Sequence, residues 1–187
     1  MTKPETGHVI WLTGLSGAGK STIAHHLVSL CLEHKKRPVL LDGDQVRAAI
    51  ADPNWGFDIA SRRRGSYIYG RLAAMLAQQG HLVIVPTISM FAEVRQWNRQ
   101  HIPGYFEVYL KVTQQVRQQR DPKALYQQHQ AGLNQDMAGL DLLFEEPNSP
   151  DLIINNNGDS DNIEPVARQI LQQFSQVFPN ALTEGAC

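Results

Sequence analysis

The stretch GLSGAGKST, Gly14 to Thr22, constrains this chain more than any other. It fits the spacing G-x-x-x-x-G-K-S/T through Gly14, Gly19, Lys20 and Ser21. The flanks fit as well. HVIWLT, His8 to Thr13, is a short apolar, β-branched run of the kind a buried strand needs. After the loop, Ile23, Leu27, Leu30 and Cys31 recur at i, i+4, i+7 and i+8 and form one apolar helical face. Strand, glycine loop and helix in that order make a phosphate cradle. Glycine lets the backbone turn tightly and aim N–H groups at phosphate oxygens. The start of the helix adds a partial positive charge. Lys20 is expected to reach the β- and γ-phosphates, and the Ser21 hydroxyl to sit on Mg²⁺. Ser16, Gly17, Ala18 and Thr22 complete the expected contacts of the loop. A glycine-rich turn without a ligand would leave the Lys-Ser pair unexplained.

Strand signals alternate with helix signals along the rest of the chain. VLLDGD (Val39–Asp44), HLVIVPT (His81–Thr87), YFEVYLKV (Tyr105–Val112) and DLIIN (Asp151–Asn155) read as four further strands. Between them lie a short helix from Asp44 and a long one from about Ile59 to Gln79. A third helix spans Phe91–Gln100, and a last one runs from about Asn162 to Phe178. Asp44 is expected to cap the short helix. This order predicts an α/β fold with a five-stranded parallel sheet covered by helices on both faces. The chain has 187 residues, enough for one well-buried core and short for two domains, so a single domain over 1–187 is expected. From Thr113 the pattern turns polar and glutamine-rich. It suggests helices over a surface, then a loop from Met137 to Pro150, so residues 113–147 read as a helical lid or as a solvated face.

Net charge is −1, so no basic field points to nucleic acid or an anionic membrane. No apolar run reaches membrane-spanning length, and the polar start MTKPETG has no signal-peptide core. Two cysteines, Cys31 and Cys187, make neither a disulfide framework nor a metal cluster. A reducing cytoplasmic compartment is the expectation.

Ligands of parallel sheets gather at the carboxyl ends of the strands. The second strand ends in Asp42 and Asp44, with Arg47 one turn beyond; the third ends near Thr87 and Ser89. Phosphoryl transfer needs a carboxylate to orient or deprotonate the acceptor and help hold Mg²⁺, with cations on the migrating charge. Asp42 fits as base or metal organiser, and Asp44 fits a helix cap better. Arg62, Arg63 and Arg64 follow one another, and at 100° per residue at most one or two can face a site. Trp11, Trp55 and Trp97 read as packing residues, Trp55 less firmly because it sits in a loop.

With these residues placed, the chain resembles the adenylylsulfate kinase family from about Val9 to Asn155. The marks are GLSGAGKST, LDGDQVR (Leu41–Arg47), WGF with Arg62, VPTIS (Val85–Ser89), FEVYLKV (Phe106–Val112), RDPKALY (Arg120–Tyr126) and FEEPNSPDL (Phe144–Leu152). The resemblance implies a P-loop kinase that moves the γ-phosphate of Mg-ATP to the 3′-hydroxyl of a nucleotide's ribose. It implies Asp42 as base, with Lys20 and Arg47 completing the catalytic set and Arg47 touching the acceptor's phosphate. Phe57 would stack near the acceptor base and Arg62 would bind the acceptor, with Asp44, Ile88, Ser89 and Lys123 around them. Arg120 would serve the ATP side of the lid. A homodimer is compatible with this reading.

The departures fall on the acceptor half. The family's D-R-x-x-N with an Arg two places on reads here as Ser61, Arg62, Arg63, Arg64, Gly65, Ser66 and Tyr67. The proline after Ile-Ser is Met90, and the Phe-Thr-Gly that sandwiches the acceptor adenine is Met137-Ala138-Gly139. The lid's Lys-Gly-Leu-Tyr is Lys123-Ala124-Leu125-Tyr126. Loss of an Asn and an Arg from a hydrogen-bonding site weakens recognition of the original ligand. One branch of the family is more similar: the kinases of cytidine diphosphoramidate, which serve capsule phosphoramidate synthesis. MFAEVRQWNRQHIPGYFEVYLKV (Met90–Val112) carries that likeness, with Trp97, Asn98 and Arg99 as its signature. The alternatives are adenylylsulfate kinase activity itself, a kinase for a sugar- or shikimate-like metabolite, and a non-catalytic nucleotide-binding protein. A GTPase is disfavoured because no N-K-x-D motif occurs.

Overall fold

The computed structural model describes residues 6–121, 123–158 and 163–182. Five parallel strands form one sheet in the order β2-β3-β1-β4-β5. They are β1 (His8–Thr13), β2 (Val39–Leu40), β3 (Leu82–Thr87), β4 (Tyr105–Lys111) and β5 (Leu152–Asn155). The helices are α1 (Lys20–Glu33), α2 (Gly43–Ile50), α3 (Ile59–Gln78), α4 (Ala92–His101), α5 (Gln114–Arg120), α6 (Leu125–Gln130) and α7 (Ile163–Val177). The expected α/β sheet with helices on both faces is therefore present. Asn162, the expected start of the last helix, lies outside the described residues, as does Cys187.

Alternation along the strands divides the core in two. Ile10, Leu12, Ile84, Phe106, Val108 and Leu110 face α1 and α7, where Ile23, Leu27, Ile170 and Phe174 meet them. Val9, Trp11, Val83 and Val85 face the other way, against Ala73, Ala74 and Ala77 of α3. The small residues let α3 lie close to the sheet. α4 comes equally close to α3 at Gly70, where an added Cβ would stand 2.4 Å from Asn98 Oδ1. Cys31 is buried in the first core half, as its place on the apolar face of α1 requires.

β2 is shorter than expected. Its ladder covers only Val39 and Leu40, and Leu41 N–H adds one more bond to Ile84 O. The chain then leaves the sheet because Asp42 caps α2: its Oδ1 accepts from Asp44 N at 3.0 Å. The cap is thus Asp42, not Asp44. This early exit also accommodates Pro86 in an inner strand. Pro86 has the parity of Ile84, whose carbonyl faces β2, so its missing N–H falls beyond the end of β2, where no ladder partner exists.

Candidate active site

The glycine loop joins β1 to α1 at the carboxyl end of the central strand. Two glycines there are dictated by geometry. Gly17 has φ +78 and Gly19 φ +88, values that side-chain-bearing residues rarely adopt. A Cβ on Gly17 would stand 2.8 Å from Arg117 O, and one on Gly19 2.9 Å from Asn156 Nδ2. Asn156 also donates to Ala18 O at 3.0 Å. The loop is thus clamped from one side by the end of β5 and from the other by α5. Below it, the Thr13 hydroxyl donates to Glu107 Oε1 at 3.0 Å, and Arg95 and Arg99 each lie 3.7 Å from the same carboxylate. Arg99 is also paired with Asp151 at 2.9 Å. This network, with Arg95 and Glu107 buried at its centre, braces the strands beneath the loop.

Lys20 opens α1 and donates from Nζ to Leu15 O at 2.9 Å. Burial, with Lys123 and Arg117 nearby, lowers its pKa to about 8, against the raising influence of Asp42 and Asp44. Ser21 Oγ donates to Asp42 Oδ2 at 2.8 Å. The two residues expected to hold a metal thus meet, although they come from different elements. Among the described residues no group of three His, Cys, Asp or Glu is arranged to cage a metal. Magnesium in kinase sites usually takes one or two carboxylates, with water and substrate phosphates supplying the rest. A Ser21–Asp42 pair open to solvent fits that pattern.

The segment from α5 to α6 packs against the loop. Arg120 donates to Gly17 O at 3.4 Å and also to Gly158 O. Arg117 is buried and donates to the Tyr126 phenol at 2.7 Å, and that phenol donates to Ser16 O at 3.2 Å. Asp121 accepts from Tyr126 N and Gln127 N, both at 3.1 Å, and so starts α6. Lys123 pairs with Asp44 across the opening. Asp44 and Lys123, both expected beside the acceptor, therefore hold each other. The sequence singled out neither Arg117 nor Asn156. Both lie in polar stretches without periodic signal, and only their neighbours in space reveal their role.

Phe57, expected to stack near the acceptor base, is 56% exposed, and its ring is flanked by two guanidinium groups, Arg47 at 4.5 Å and Arg62 at 5.4 Å. Arg62 donates to Phe57 O at 2.6 Å and Asp136 O at 2.9 Å. Its neighbours turn away, Arg63 to Glu93 and Arg64 to Asp52, as the helical rotation requires. Arg47 departs from expectation. Its Nη1 donates to Trp55 O at 2.6 Å and Gly56 O at 3.1 Å, so it shapes the 55–57 loop as well as facing the opening. Ser89 departs further. Its hydroxyl is buried and accepts from Trp11 Nε1 at 3.1 Å, and Arg95 holds its carbonyl, so its side chain is engaged in the core. Ile88 packs with Met90, Phe91 and Val94 in a small cluster at the same strand end. The substituted Met137 is buried in the loop that closes this side, where Asp141 accepts from its N–H and from His129.

A family model described as adenylylsulphate kinase matches residues 6–155. The chain belongs to the adenylylsulfate kinase family. It is a nucleotide kinase of that family, with the P-loop kinase fold. A probable adenylyl-sulfate kinase of Bacillus subtilis is 35% identical over 170 residues, covering 90% of this chain and 85% of the relative. A cytidine diphosphoramidate kinase of Campylobacter jejuni is 33% identical over 168 residues, covering 90% and 96%. Among solved structures, the Mycobacterium tuberculosis adenylylsulfate kinase CysC in complex with AMPPNP and adenylylsulfate superposes with a TM-score of 0.84. It is 33% identical and covers 92% of this chain and 99% of its own. Family membership thus rests on most of the chain, and two acceptor chemistries are represented at similar identity.

Proposed function

We propose that this kinase transfers the γ-phosphate of Mg-ATP to the ribose 3′-hydroxyl of a cytidine diphosphoramidate-type acceptor, in capsule biosynthesis. The observation that carries this reading is the rebuilt acceptor wall. Gly65 stands where the family has Asn, and the indole of Trp55 lies against it. The ATP half keeps each expected group: the loop Gly14 to Thr22, Lys20 and Ser21, with Arg120 over Gly17.

In this reading the loop and the start of α1 hold the phosphates, and Lys20 meets the charge on the β- and γ-oxygens. Mg²⁺ held by Ser21 and Asp42 would neutralise charge on the same oxygens. Asp42, which would share the metal with Ser21, also orients the attacking hydroxyl and accepts its proton. The acceptor oxygen bonds to the γ-phosphorus, the bond to the β,γ-bridging oxygen breaks, and ADP leaves. Arg47, Phe57 and Arg62 place the acceptor. Residues 113–147 act as the lid of a single domain, with Arg117 and Tyr126 bracing it against Ser16. No helix among the described residues is long and apolar enough to cross a membrane. The proposed acceptor is a small nucleotide, not a nucleic acid, and the proposed compartment is the cytoplasm.

A second reading, adenylylsulfate as acceptor, is favoured by the likeness to the Mycobacterium enzyme. ADP release with Mg-ATP and a panel of adenylylsulfate, cytidine diphosphoramidate, CDP and simple nucleosides decides between them. Turnover with the cytidine compound and little with adenylylsulfate is expected. Turnover with adenylylsulfate alone overturns the proposal in favour of the second reading. Nucleotide binding without turnover on any acceptor would make the protein a non-catalytic binder.

A further inference from the structure

We infer that Trp55 and Gly65 form a coupled pair that sets the size of nucleobase the acceptor site admits, favouring a pyrimidine over a purine. The inference rests on the kinase reading above and concerns only its acceptor. Trp55 is 5% exposed and packs between α2 and α3, with its ring 5.8 Å from that of Tyr69. A Cβ on Gly65 would stand 2.5 Å from Trp55 Cζ2, 2.7 Å from Nε1 and 2.8 Å from Cε2. No side chain fits at position 65 while the indole is there, and no indole of this pose fits beside a larger residue. Any residue larger than glycine at 65 requires the indole to move or be replaced.

Trp55 belongs to the core beneath α3, but packing alone would not choose this pair. Glycine inside a helix weakens it, and Gly65 lies within α3. Trp55 Nε1 is buried without a hydrogen-bond partner, an unfavourable state for a donor. A leucine or phenylalanine would fill much of the same space without that unpaired group. What the indole does provide is a shelf for the acceptor cation. Arg47 lies 4.7 Å over the Trp55 ring and 4.5 Å from the Phe57 ring, with its Nη1 on the Trp55 and Gly56 carbonyls. The indole therefore sets the depth of Arg47, and Arg47 bounds the space beside the exposed Phe57 ring where a base would stack. A fused purine needs more room along that wall than a single pyrimidine ring. The amide that an Asn at 65 would offer is also gone from the wall.

The test is the ratio of kcat/KM for cytidine diphosphoramidate to that for adenylylsulfate, measured on the wild type, W55L, G65N and W55L/G65N with saturating Mg-ATP. W55L/G65N should move the ratio toward adenylylsulfate by about tenfold or more, the size of effect a reshaped apolar wall gives. The change should appear in acceptor KM, with the KM for ATP within about twofold of wild type, which a general loss of structure would not produce. G65N alone should lower the melting temperature, and W55L should restore it, as expected of neighbours in contact. W55L alone should move the ratio in the same direction, so the test stands even if the Asn-bearing variants do not fold. A ratio within about twofold of wild type in folded W55L overturns the inference. So does a shift carried by ATP KM. Wild-type preference for adenylylsulfate would refute the acceptor proposed above, and the shift in ratio would still judge the Trp55–Gly65 pair on its own.

Discussion

Replacing Lys20 by methionine should abolish turnover and, in the absence of nucleotide, make the protein more stable. Burial, then the nearby Lys123 and Arg117, bring the Lys20 pKa from 10.5 to about 8, although Asp42 and Asp44 act the other way. At 1.36 kcal/mol per pKa unit this is a cost of about 3 kcal/mol for keeping the ammonium charged in the folded state. Methionine keeps the length of the side chain and removes the charge. It also removes the Nζ bond to Leu15 O, worth about 1 kcal/mol. The balance is a gain of about 2 kcal/mol, or a rise in Tm of about 4–8 °C for a chain of this size. The sign with pH follows from a folded pKa below the unfolded one. The cost is fully present below about pH 8 and is relieved as pH rises toward the unfolded value. The Tm advantage of K20M over wild type should therefore be largest near pH 7 and nearly vanish by about pH 9.5. Paired thermal melts without nucleotide read the difference, and ADP release reads the activity. If K20M melts lower than wild type at pH 7, or its advantage grows with pH, the reasoning about the desolvated ammonium is wrong. A cost of this kind is tolerable at a site where a bound triphosphate supplies the missing negative charge.

Three further outcomes are expected. Asp42→Asn should cut single-turnover phosphoryl transfer by about 10²–10⁴ with a milder loss of ATP affinity, and near-wild-type rates would remove Asp42 from the role given to it. Tyr126→Phe takes away one partner of buried Arg117 and the bond to Ser16 O, and should cost about 1–3 kcal/mol in thermal melts while raising the KM for ATP. An unchanged KM would mean the lid is not braced through this phenol. Glu107→Ala leaves Arg95 buried without its carboxylate and should cost about 3–5 kcal/mol by urea denaturation, whereas a loss under 1 kcal/mol would show that the cluster beneath the loop does not support it.

Much of this molecule was legible in its sequence because the informative signals were local. The phosphate loop is contiguous, and its meaning depends on spacing within one turn between a strand and a helix. Strand and helix periodicities gave the order of the elements, and the sheet with two covered faces followed. The arginine run resolved as helical rotation requires, with Arg62 alone turned to Phe57. Where local rules misled, a tertiary partner had intervened. Asp42 took the cap expected of Asp44 once β2 ended at Leu40. Ser89 turned its hydroxyl inward because Trp11, remote in the chain, offered a buried N–H that needed an acceptor.

The sequence by itself determined the nucleotide-binding loop, the α/β class and the residue types of the site, since these depend on composition and spacing along the chain. Only the tertiary structure decided which distant groups meet: Asn156 with Ala18, Arg117 with Tyr126, Ser21 with Asp42, and Trp55 with Gly65. It also decided that Lys20 would hold its proton weakly. Burial and close approach are properties of chain segments brought together in space, and no pattern of neighbours along one segment encodes what another segment will press against it.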